Sequence, residues 1–178
     1  GVWILWLGWF GFNGGSELVV SNESAAIAVS QVFLNTNIAA AGGVLASLMI
    51  SQLVKGKMDI TMAMNGAIAG LVAITAAPSA PSAGAALLIG AVGGIIVYFS
   101  ITGLDKRGID DPVGAISAHG VVGIWGVMAV CFTGGSLFAQ AAGVLAIAGF
   151  TYVMSLVSIL VIDRFIPVSY THLRAHET

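Results

Sequence analysis

The sequence predicts an all-α protein, a polytopic bundle of helices that cross a membrane. Charged residues make up only 8% of the chain, against about 25% in an ordinary soluble domain. With 58% apolar residues and a mean hydropathy of +1.01, too little polar surface is left to face water, so the solvent must be lipid. The apolar stretches also approach the roughly 20 residues that a helix needs to cross the hydrocarbon core. Apolar and polar residues do not alternate, which argues against a membrane barrel.

Six spans are expected, in order: residues 1–16, 25–54, 60–76, 84–104, 112–133 and 139–162. The chain opens at Gly1 inside a hydrophobic run, which reads as a truncated start. Asp59 is placed to cap the third span. Asp111-Pro112 would start the fifth, with Asp111 as N-cap and Pro112 at the first helical position. Capping at a wet interface is also the reading of Asp110. Gly66-Ala-Ile-Ala-Gly70 and Gly90-Ala-Val-Gly-Gly94 carry the small-residue spacing that lets helix backbones approach closely, and Gly120, Gly123 and Gly126 continue it in the fifth span.

The loops give an orientation. Lys55 and Lys57, then Lys106 and Arg107, then Arg164 follow the even-numbered spans. The intervening loops, 17–24, 77–83 and 134–138, hold no Lys or Arg. The positive-inside rule makes loops 55–59 and 105–111 cytoplasmic in a multi-pass protein of the plasma membrane.

Other classes find little support. A net charge of −2 with no basic run gives no footing for nucleic acid. The single cysteine, Cys131, allows no internal disulfide and reads as a small apolar residue. The tail, SYTHLRAHET at 169–178, is polar and unlike what precedes it, so the membrane domain is taken as 1–168. Its His172 and His176 are spaced i, i+4, but no third ligand lies near them and no metal site is expected. No cofactor and no enzymatic role are expected either.

Chemistry concentrates in two places. His119 lies in the fifth span, where no Asp, Glu, Lys or Arg occurs between Pro112 and Phe138. An ionisable group at membrane depth is costly and is a functional candidate by default. Histidine exchanges protons near neutral pH. The bland alternative is a neutral imidazole bonded inside the bundle. The second place is Gly8-Trp9-Phe10-Gly11-Phe12-Asn13-Gly14-Gly15-Ser16. Trp3 and Trp6 read as interface-belt residues, whereas Phe12 and Ser16 share one helical face. An aromatic face attracts a small cation, and a hydroxyl accepts its hydrogen bond.

In order along the chain come GWFGFNGGS, FLNTNIAAAGG at 33–43, MNGAIAGLVAITA at 64–76 and DDPVGAISAHGVVGIWG at 110–126. Together these resemble the ammonium transporter (Amt/Mep/Rh) family, nearer its Amt branch. The resemblance runs from Gly1 to about Pro167. It implies helices six to eleven of an eleven-helix fold: the second of two inverted repeats plus the final helix. By position, His119 matches the second of the family's twin pore histidines. Phe12 matches the inner gate phenylalanine and Ser16 the vestibule serine. The resemblance also implies a homotrimer with one apolar pore per subunit, carrying ammonium or ammonia across the lipid bilayer. The first repeat, with the partner histidine, lies outside this chain. The family's cytoplasmic tail is replaced by 169–178, so docking of a PII-type regulator cannot be inferred. Two alternatives share the scaffold, an Rh-type channel for neutral gas and an ammonium sensor. The bundle is expected to present His119 and Phe12–Ser16 along one side, as an open groove.

Overall fold

The computed structural model describes residues 1–165, so the tail 169–178, with His172 and His176, lies outside the described residues. The described residues form helices and no strands: α1 (Val2–Gly15), α2 (Glu23–Lys55), α3 (Ile60–Ile74), α4 (Ala83–Lys106), α5 (Val122–Ala129) and α6 (Leu137–Phe165). A π-helical turn, Ile116–Val121, leads into α5, and a 3-10 turn, Val130–Thr133, follows it. These three segments together make the fifth expected span.

Four helical stretches are long and apolar enough to cross a membrane: α2, α4, Ile116–Thr133 and α6. The first and third expected spans are shorter helices, of 14 and 15 residues.

Helix ends follow the local chemistry. The Asn22 side chain accepts the Ala25 N–H and starts α2, which ends where Gly56 turns left-handed. Asp59 caps α3 as expected, accepting from the Thr61 N–H at 2.9 Å and its hydroxyl at 2.6 Å. The Thr61 hydroxyl holds the Asp59 carboxyl below its ordinary pKa. Slight burial works against this, and the N–H groups of Thr61 and Met62 and the charge of Lys55 add to it.

The chain divides into two compact units, one of Gly1–Gln140 and one beginning at Ala141. In the first unit, α2, α3 and α4 pack against one another with backbones nearly touching. Side chains added at Gly43 and Gly66 would each strike the other's carbonyl, and one at Gly90 would strike the backbone of Ala39. The glycine spacing seen in the sequence is therefore the contact surface of this three-helix core. It fails in the fifth span: Gly126 packs on Ala73, but Gly120 has open space beside it and Gly123 meets only the edge of Val72.

Helix α6 starts at Leu137, with the Ser136 hydroxyl accepting the Ala139 N–H, and supplies the second unit from Ala141 on. It buries no residue and is apolar all round, the pattern of a helix whose solvent is lipid or other membrane protein.

Candidate functional site

The site is assembled on α1, α3 and the π-helical turn. The loop before that turn corrects one expectation. Pro112 is not the first helical residue, and the helix begins at Ile116. Gly114 adopts φ +70°, a left-handed conformation that favours glycine, and a Cβ there would press on the Asn65 amide. The chain therefore turns once more after Pro112 before it can become helical. Asp111 still acts as a cap, but across a longer reach. Its two carboxylate oxygens accept the N–H groups of Ile116 (2.9 Å) and Ser117 (3.1 Å). Asp111 is buried. Burial works to raise its carboxyl pKa, and the backbone donors of Ile116 and Ser117 outweigh it, leaving the pKa below the ordinary value.

Ser117 anchors the turn to α4, because its hydroxyl oxygen accepts from Ser100 at 2.8 Å. With Ser117 and Ala118 buried on the core side, His119 is turned to the exposed side. A π turn widens the helix by one residue and recurs at functional sites.

On that exposed side the His119 ring lies nearly parallel to the Trp9 indole, with centroids 6.2 Å apart and planes at 19°. Phe12, one turn along α1, meets Trp9 edge-on at 5.8 Å. Phe12 and His119 border one open cavity of about 320 Å³, together with Trp9, Val72, Thr75, Ala76, Gly123 and Val127. Ser16 is not among its lining residues. Its hydroxyl donates to the Phe12 carbonyl at 2.7 Å, which fixes it on the Phe12 face with its lone pairs free to accept.

His119 also borders a second cavity, of about 460 Å³, walled by Leu5, Met64, Ile68 and Val113 with Thr61 and Asn65 as polar members. That cavity shares Thr61, Asn65, Pro112 and Gly114 with a third, of about 620 Å³, where Lys55, Asp59, Asp105, Asp110 and Asp111 gather. The chain of shared walls describes a groove. It runs from a charged end, through an apolar middle, past His119, to the aromatic residues of α1. The loops 55–59 and 105–111 border the same charged cavity and so lie at one end of this unit.

Two participants escaped the reading of the sequence. Trp9 joins Phe12 to His119, and its i, i+3 spacing from Phe12 was the available signal. Thr75 receives the Trp9 indole N–H at 2.8 Å, a contact between α1 and the end of α3 that no local pattern announces. Among the described residues no group of His, Cys, Asp and Glu is placed to hold a metal ion.

The profile of the Ammonium Transporter Family matches residues 1–172. The chain belongs to that family. Ammonium transporter Amt2 of Archaeoglobus fulgidus is 45% identical over 130 residues, covering 73% of this chain and 27% of that protein. An ammonium transporter of Bacillus subtilis is 31% identical over 186 residues, covering 94% of this chain and 45% of that protein. The solved structure of a sensor Amt protein superposes with a TM-score of 0.87 at 30% identity, over 96% of this chain and 44% of that one. The chain thus spans less than half the length of these relatives. It is a partial, multi-pass piece of an all-helical transporter fold.

Proposed function

We propose that the groove past His119 is one wall of a pathway for ammonium or ammonia, closed in the whole protein by a preceding repeat. The observation that carries this reading is that Phe12 and His119, with Trp9 between them, border one apolar cavity in a chain of this family. An ammonium ion at the aromatic end meets the π faces of Phe12 and Trp9 and the lone pairs of Ser16, which replace part of its water shell. Beyond that point the walls are apolar, and carrying a bare charge along them costs several kcal/mol or more. Giving up the proton removes most of that cost. His119 receives or relays the proton and bonds the neutral ammonia. Potassium has no proton to give and is excluded by the same walls. The reaction is transport, not enzymatic turnover. The whole protein acts as a homotrimer in the plasma membrane, with loops 55–59 and 105–111 on the cytoplasmic side, the side that the positive-inside rule favours for their lysines and arginine.

The likeness to a sensor Amt protein favours a second reading, in which the same groove binds ammonium and reports it. Flux separates the two. The protein encoded by the whole reading frame, reconstituted in vesicles, is expected to pass ammonium down a gradient, and this chain alone, holding one wall, to pass none. Saturable ammonium binding without flux by the whole protein would overturn transport in favour of sensing.

A further inference from the structure

We propose that Thr75 is a positioning residue for the pathway: its hydroxyl fixes the Trp9 indole parallel to the His119 ring and edge-on to Phe12. This rests on the reading of His119 and Phe12 as parts of an ammonium pathway.

Thr75 follows the last residue of α3, and its Oγ1 takes part in two hydrogen bonds. The hydroxyl donates to the Leu71 carbonyl at 2.7 Å and accepts from Trp9 Nε1 at 2.8 Å. Its one proton is committed to Leu71, so the oxygen facing Trp9 can only accept. An indole N–H can only donate. The pair therefore has one polarity and one geometry. Indole N–H groups usually find a partner when buried, and here the partner sits on a different helix, which ties α1 to α3 at the level of the groove.

The consequence falls on the rings. Rotation of Trp9 about its side-chain bonds would break the bond to Thr75, so the bond selects the rotamer in which the indole faces His119 at 19° and 6.2 Å. The same rotamer sets the indole at 63° to the Phe12 ring. Val72, Ala76, Gly123 and Val127, which line the same cavity, offer no polar side-chain atom to replace Thr75. Without Thr75 the indole is free to turn its N–H into the cavity, where it would meet a cation with the positive edge of the ring and not the face. Thr75 thus acts on the cargo through Trp9 and without touching it.

The test uses the whole protein in vesicles, with ammonium and potassium fluxes measured separately for Thr75→Val, Thr75→Ser and His119→Ala. Thr75→Val keeps the shape and removes the acceptor. It is expected to lower the ammonium-to-potassium flux ratio by about threefold to tenfold, the worth of one hydrogen bond, while Thr75→Ser restores it. A wild-type ratio in Thr75→Val beside a changed ratio in His119→Ala overturns the positioning role and leaves the pathway standing. A wild-type ratio in both overturns the pathway itself. Where Thr75→Val does not assemble, Trp9 is replaced by benzothienylalanine, which keeps the ring and lacks the N–H. An unchanged ratio in that protein also overturns the proposal.

Discussion

Asp111 lies outside the membrane-crossing segment, yet it decides where that segment begins. Its carboxylate takes up two backbone N–H groups of the turn that carries His119. The folded carboxyl has a pKa below its ordinary value. A lowered pKa contributes stability that is fully present above the unfolded value, about 3.9, and is lost as pH falls through the folded one. Asp111→Asn can satisfy only one of the two donors in the same way. The variant is expected to be less stable at pH 7 by about 1.5–3 kcal/mol, the range for hydrogen bonds to a charged group. The gap should close as pH falls below about 4. Thermal unfolding of the detergent-solubilised whole protein at pH 7 and at acid pH checks this, and a pH-independent gap would show that the carboxylate charge is not what caps the turn. Asp59 at the start of α3 carries the same sign of pH dependence.

At the scale of elements, the three-helix core depends on contacts that leave no room for a side chain. A Cβ at Gly90 falls on the backbone of Ala39, whereas one at Gly84, earlier in the same helix, meets nothing within 4 Å. Gly90→Val is expected to push α4 away from α2 and cost about 1–3 kcal/mol, the range for overpacking. Gly84→Ala should leave the midpoint of thermal unfolding unchanged or raise it slightly. Equal effects of the two would contradict the packing described. These contacts were legible in advance because small residues spaced four apart mark a close backbone approach. Helix order was legible too, since apolar runs and capping residues are local features. The fifth span was read less well. Its end at Thr133 was right but its start was set too early, because the extra turn at Gly114 and the π-helical turn after it depend on Asp111 reaching five and six residues along the chain. Of the residues that border the aromatic cavity, His119 stood out in the sequence as a lone ionisable group at membrane depth, and Phe12 by its spacing from Ser16. Trp9 and Thr75 did not, because their bond joins residues 66 apart in sequence.

At the scale of the whole molecule, this chain belongs to the Ammonium Transporter Family and spans less than half the length of the relatives it matches. The exposure of His119 fits that share, since a groove needs a second wall before it becomes a pathway. On the proposed reading, with a second wall in place, the choice of cargo depends on the proton. Ammonium can shed one beside His119, and potassium cannot. Removing the ring leaves two physical outcomes: the relay is lost and transport stops, or water fills the space and ions cross without deprotonation. The decisive measurement is therefore the flux of ammonium and of potassium through His119→Ala in the reconstituted whole protein. Abolished ammonium transport, or a lowered preference for ammonium over potassium, is the predicted result. Ammonium flux and potassium exclusion both at wild-type levels would contradict it and leave His119 as a ring that merely stacks on Trp9.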